Sequence, residues 1–255
     1  PPTRTPDTLH SKQFATFLDL ISEGEIEGFA TASKEGRTQG TTAYTNAALK
    51  DVFLNETPVL EASADSANAT TTDFNFQDVQ FNPRFGTADQ AKVEGIESSS
   101  SVTPVGVTVT ASSPVTRQIT NTNVDRINVL ITIPQLQKAT DKGDILGSTI
   151  EYKISVQYNS GGFTDLITDT ISGRTADAYQ RDYGINITGD FPVDIRVTRI
   201  TADSTDSFLN DEFQWTSFSE IIDDANTYPN SAYSSLRLDS VQFNEPPSRK
   251  FRIRG

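Results

Sequence analysis

Cysteine and methionine are both absent from the 255 residues, and histidine and tryptophan occur once each. Without cysteine there are no disulfides, no thiolate nucleophiles and no Cys-ligated metal sites, and the redox compartment is unread. The single histidine, His10, excludes multi-His metal centres and confines any His-based triad to that position. No apolar run approaches the roughly 20 residues that cross a bilayer. Pro1–Thr8 has no apolar centre of the kind a signal peptide carries. The missing methionine predicts a translated start outside this chain. The alternation Phe251-Arg252-Ile253-Arg254 just before Gly255 predicts a segment of a longer polypeptide.

Positive charge is also in short supply. Lys+Arg is 21 against 34 Asp+Glu, a net charge of −13. Proteins that coat nucleic acid or bind anionic membranes carry basic faces, so the balance argues against both. Hydrophobic residues make up 35%, a thin inventory that suits sandwiches or small sheets better than a large α/β enzyme. A length of 255 residues suggests about two domains, at roughly 150 residues each.

Residues 1–12 hold Pro1, Pro2 and Pro6 and read as an extended arm, ordered only if a neighbour holds it. Phe14, Phe17, Leu18 and Ile21 fit a helical stripe, but the same stretch also reads as a half-buried strand, so both stay open for 14–22. Residues 30–47 are Thr-, Ala- and Gly-rich and predict a long loop. Asp51–Leu54 reads as a short strand, with Asn55-Glu56-Thr57-Pro58 as its turn. Residues 61–73 are polar and of low complexity. Phe74, Phe76 and Phe81 mark one or two strands, and 86–103, with Ser98–Ser101, has the composition of a linker.

From Pro104 the pattern sharpens into seven strand candidates: Val105–Thr110, Val115–Ile119, Val124–Ile133, Ile150–Tyr158, Phe163–Ile171, Tyr183–Thr188 and Val193–Ile200. Ile127, Val129, Ile131 and Ile133 share one face, as do Ile150, Tyr152, Ile154, Val156 and Tyr158. Asn159-Ser160-Gly161-Gly162 supplies a hairpin turn. About seven short strands in about 100 residues match an immunoglobulin or fibronectin type III sandwich. The absent cysteine pair and core tryptophan favour the fibronectin-like variant. Phe213–Ile222 and Leu236–Phe243 are further strand candidates, the second with a bulge near Ser240. The predicted fold class is therefore mainly β. Residues 13–103 and 204–255 form one β domain from two flanks that pair with each other, and 104–203 form the inserted sandwich.

The candidates for chemistry are few. Glu23, Glu25 and Glu27 have the spacing of a glycosidase carboxylate pair, since i and i+2 on a strand share a face about 7 Å apart. A solvated acidic turn explains them more simply. Asp203, Asp206, Asp211 and Glu212 offer oxygen ligands for calcium but match no EF-hand spacing, and a polar interdomain loop explains them equally. His10 sits on an arm without the rigid support a catalytic group needs. Trp215 reads as an exposed anchor or, better, as a core or interface residue. The basic cluster Arg249, Lys250, Arg252 and Arg254 reads as a contact for phosphates or acidic partners or, more simply, as the start of the next part of a longer chain. No phosphate loop, nucleophile elbow or zincin motif is present. No catalytic, cofactor-binding or metal residue is assigned.

Several stretches resemble one family. Phe17–Gly28, with Ile21-Ser22-Glu23-Gly24-Glu25-Ile26-Glu27-Gly28, is similar to its "aISEGpIEG" segment, and Leu49–Val59, ending Val52-Phe53-Leu54-Asn55-Glu56-Thr57-Pro58-Val59, to its "LLNsTPV". Pro114–Thr120 with Asn123–Arg126 resembles "PiTRtIT..NiDR". Asp203–Asp206, Trp215–Asp223, Tyr228-Pro229-Asn230, Asp239–Phe243 and Ser248–Gly255 resemble further segments in the same order. The family is that of tail tip attachment protein J, the host-specificity protein of lambda-like long-tailed bacteriophages. The match is colinear over nearly the whole chain, but residues 30–47 look inserted and 61–103 align poorly.

The resemblance implies a non-enzymatic structural protein at the virion tail tip, the proximal part of a homotrimeric baseplate hub. It implies contacts with neighbouring tail tip and distal tail proteins and the tape measure protein. Receptor recognition would lie in distal regions outside this segment. DNA would pass through the channel during genome ejection without being specifically bound, and this segment would not enter a membrane. A secreted β-sandwich adhesin or carbohydrate-binding module is the alternative.

Overall fold

The computed structural model describes residues 3–93 and 95–255. Its chain divides into two compact units. One comprises the N-terminal stretch through Ser11 together with Glu97–Asp223, and the other Lys12–Ile96 together with Asp224–Gly255. Among the described residues no helix is long and apolar enough to cross a membrane.

The first unit is a sandwich of two four-stranded antiparallel sheets. One sheet runs Thr164–Gly173, Ser148–Tyr158, Val193–Arg199, Val115–Ile119, and the other Tyr179–Asn186, Arg126–Ile133, Gln214–Asp223, Glu97–Thr108. All seven strands expected between 104 and 203 form, with ends shifted by a few residues. The alternation decides which side faces in. Ile127, Val129, Ile131 and Ile133 are at most 1% exposed, and so are Ile150, Tyr152, Ile154 and Val156. Burying each such side chain is worth roughly 1.5–3 kcal/mol, which sets the register of each strand. Asn159 and Ser160 take positive φ in the hairpin turn after Tyr158.

Two expectations change here. The serine-rich stretch within 86–103 is not all linker, because Glu97–Thr108 pairs with Gln214–Asp223 along its length. Backbone hydrogen bonds hold an edge strand whose side chains face water, so polar composition hid it. The sandwich also takes in Gln214–Asp223, which the sequence grouped with the second flank, as a central strand of one sheet. Residues 3–11 run extended, and their own chain holds them. Thr5 N–H donates to Ile145 O (2.9 Å) and Thr8 N–H to Arg174 O (3.0 Å). The Arg174 guanidinium, buried beneath the arm, donates to Thr5 O (3.1 Å) and pairs with Asp7.

The second unit combines Lys12–Ile96 with Asp224–Gly255. Ser231–Asp239 is the central strand of a three-stranded sheet, with Phe14–Glu23 on one side and Gln80–Phe85 on the other. Phe14 lies opposite Asp239 and Glu23 opposite Ser231, with one irregularity between Leu20 and Ser22. The open question at 14–22 is thus resolved as strand. Phe17 and Ile21 pack onto the unit's core, and pairing with Ser231–Asp239 overrides the helical spacing. The loop expected at 30–47 is corrected to two helices, Ala30–Lys34 and Thr42–Leu49. Thr41 Oγ1 accepts from Tyr44 N–H (3.2 Å) as an N-cap. Tyr44, Ala47 and Ala48 then fall three and four residues apart on the buried face. The strand expected over Leu236–Phe243 ends at Asp239, and a short 3₁₀ turn, Ser240–Gln242, replaces the bulge.

Candidate functional site

The acidic triplet converges on nothing. Glu23 ends its strand, Gly24 turns the chain at φ +93, and Glu25 and Glu27 point outward on either side of buried Ile26. Glu27 is occupied by Arg254 (2.7 Å). His10 is exposed on the arm.

The carboxylates of 203–212 each serve a different local partner. Asp203 receives the backbone N–H of Ala111 (2.8 Å) and of Ser112 (3.3 Å), and the first of these lowers its pKa. Asp206 accepts from Phe208 N–H (3.0 Å) and pairs with Lys138 (3.1 Å). Asp211 pairs with Arg199, while Glu212 accepts from Gln214 (2.6 Å) and Thr108 (2.8 Å). They brace turns. Among the described residues no group of three or more His, Cys, Asp or Glu is placed to hold a metal ion.

Trp215 is fully buried in the sandwich, and its Nε1–H donates to Ser217 O (2.9 Å). The exposed-anchor reading gives way to the core reading. Nearby in that core, Tyr152 and Tyr183 join their hydroxyls, and Tyr183 donates to Asp169 (2.5 Å). Burial pushes both phenols well above their usual pKa, and the Asp169 contact raises Tyr183 further. Both phenols therefore stay protonated near neutral pH, and their hydrogen bonds link Tyr152 through Tyr183 to Asp169.

The basic cluster is the one candidate that the fold gathers into an ordered array, and its partners are internal. Arg249–Phe251 pairs with Val52–Leu54, and Ile253–Arg254 with Gly28–Phe29. Each cation along this seam meets an acid. Arg249 grips Asp19 with two nitrogens (2.7 and 2.8 Å) and lies over the Phe17 ring. Lys250 pairs with Glu56, and Arg252 Nε reaches Asp51 (2.6 Å). Asp51 is fully buried and also accepts from Thr31 N–H (2.5 Å) and Thr31 Oγ1 (2.9 Å). One carboxylate thus ties the start of a helix to the C-terminal strand. The phosphate-contact reading is replaced by intramolecular pairing.

Beside this seam lies an open cleft of about 500 Å³, past Thr31, Lys34, Glu35, Lys50 and Arg252. Lys50 Nζ sits 3.0 Å from Glu35 Oε1. Burial pushes the Glu35 pKa up, but the hydrogen bonds from Lys50, Arg37 and Ser66 outweigh it, so the group is held below the usual glutamate range. Sequence reasoning missed Asp51, Glu35 and Lys50, because nothing in a local pattern marks a charge as buried and paired across the fold.

What these residues offer is braced surface and interlocked strands. Comparison with known proteins agrees. The family model for the FNIII-A domain of tip attachment protein J matches residues 99–224. The tip attachment protein J of Escherichia phage SECphi4 is 32% identical over the whole of this chain. The chain belongs to the tip attachment protein J family. The corresponding protein of Escherichia phage SECphi27 is 30% identical over 76% of the chain. This chain spans only 20% and 16% of the lengths of those two relatives. Family membership gives it a structural role in the phage tail and a place at the tail tip of the virion. Overlap with solved structures is slight. A GH115 4-O-methyl-α-glucuronidase reaches TM-score 0.26 at 14% identity, over 62% of this chain and 19% of that one. A CBM4 reaches 0.23 at 10% identity, over 80% and 96%. Neither carries an argument.

Proposed function

We propose that this segment is the proximal hub portion of a tail tip protein, which closes the tail tube and joins neighbouring tail tip proteins. It acts without catalysis, as a homotrimer, and meets the distal tail and the tape measure protein. Receptor recognition belongs to distal parts of the longer chain. The observation that carries this reading is the alignment of the whole chain, both units included, with a tip attachment protein. A structural role also suits the site residues, whose charges are matched internally along the seam at Arg249–Arg254. Closed cyclic assembly needs one heterologous interface repeated around an axis, and that asks for rigid surfaces rather than reactive groups.

The test is to withhold this protein during tail assembly. Tails with an open distal end and no attached tip proteins are expected. Tails that close and assemble their tips normally would overturn the reading.

A further inference from the structure

A strand at the edge of a sheet presents unpaired backbone N–H and C=O groups, and proteins usually blunt such edges with proline, charge, bulges or a covering loop. Three of the long edges here are treated that way. In the second unit, Gln80–Phe85 contains Pro83, and the Arg84 guanidinium binds the carbonyls of Ala91 and Lys92 in the loop beside it. In the sandwich, Glu97–Thr108 is interrupted by Pro104 and by Gly106 at φ +61. On Tyr179–Asn186, the arm's Ser11 Oγ accepts from Gln180 N–H (2.8 Å).

The Phe14–Glu23 strand is blunted less: its Asp19 is spent on Arg249, and its one irregularity, between Leu20 and Ser22, lies near its C-terminal end. The strand is ten residues long, lies at the edge of its sheet, and contains no proline, glycine, lysine or arginine. One of its faces carries Phe14 (39% exposed), Thr16, Leu18 (41%) and Leu20 (65%), with the Arg237 guanidinium over the Phe14 ring at 3.6 Å. At its C-terminal end stand the exposed carboxylates of Glu23 and Glu25. Among the described residues neither makes an ion pair, whereas nearby Asp19 and Glu27 are matched by Arg249 and Arg254.

We propose that this edge receives, antiparallel, an extended strand from a different protein of the tail tip. That strand presents apolar side chains at alternate positions and carries Lys or Arg at its N-terminal end, opposite Glu23 and Glu25. The antiparallel sense continues the pairing on the strand's other side. A second copy of this chain is a poor donor. Its own basic, alternating segment, Arg249–Arg254, is already paired with Val52–Leu54 and Gly28–Phe29. The proposal rests on the tail-tip reading above and adds to it the surface that joins a neighbour.

The test is hydrogen–deuterium exchange of residues 14–20, compared between the purified chain and assembled tails. At least about tenfold slower exchange in the tails is expected, since the outward amides gain partners. Leu20→Lys, and separately Glu23→Lys with Glu25→Lys, should leave the melting temperature of the purified chain unchanged while cutting incorporation into tails at least tenfold. Exchange at 14–20 that is unchanged in tails overturns the proposal, as does normal incorporation of stably folded variants. Protection that appears in the purified chain as its concentration rises would assign the edge to a second copy and overturn the donor proposed here. If a variant melts early, the exchange comparison on the unaltered chain decides. Absence of the chain from tails would instead overturn the tail-tip reading itself.

Discussion

Asp51 is the residue on which most of the second unit's polar organisation turns. It is fully buried and binds Thr31 through both N–H and Oγ1, and Arg252 through the guanidinium. Asp51→Ala leaves the part-buried N–H and hydroxyl of Thr31 without their acceptor, and a loss of about 1 kcal/mol in urea denaturation is expected. Asp51→Asn keeps an acceptor for Thr31 and should cost less. Glu35 gives a pH signature. Its folded pKa lies below the ordinary glutamate value, so the stability it contributes is present above that value. That stability is lost as pH falls from about 4.3 through the lower folded pKa. In thermal melts between pH 5 and 3, Glu35→Gln should flatten part of the acid-side decline. Identical slopes in variant and parent would contradict the hydrogen-bonded arrangement with Lys50 and Ser66.

At the scale of elements, the arm shows how a segment with no core of its own becomes ordered. Gly173 takes φ +147, and a Cβ placed there would lie 2.4 Å from Thr8 Oγ1 and within 3.3 Å of Leu9. Gly173→Ala should therefore lift the arm from the sandwich. Trypsin cleavage after Arg4 is expected to speed up at least about tenfold while the sandwich stays folded, and an unchanged rate would contradict this. Elements with strict two-residue alternation, such as Arg126–Ile133 and Ser148–Tyr158, were legible in the sequence because one face is buried and the other wet. Phe14–Glu23 was ambiguous because both of its faces carry apolar residues. The helix Thr42–Leu49 was hidden by its small residues, although Thr41 with Tyr44, Ala47 and Ala48 was a usable signal. The first part of Glu97–Thr108, residues 97–104, was hidden because a solvent-facing edge strand needs no apolar pattern. Of the candidate site residues, Trp215 went to the core as the simpler reading held. The pairing of Arg249–Arg254 with Asp19, Glu56, Asp51 and Glu27 was beyond reach, since those acids lie about 200 residues away in sequence.

For the whole molecule, the charge balance gains meaning only in an assembly. With a net charge of −13 per chain, three copies carry −39. Carboxylates placed on a channel wall would repel DNA phosphates and keep the genome from sticking as it leaves. In the proposed trimer, each copy would add buried surface from its neighbours to a thin hydrophobic inventory. The most direct measurement is a cryo-electron reconstruction of the intact tail tip with this chain traced in it. Three copies around the tail axis, with acidic side chains on the lumen, are the predicted result. A single copy off the axis, or a ring of any other order, would contradict it.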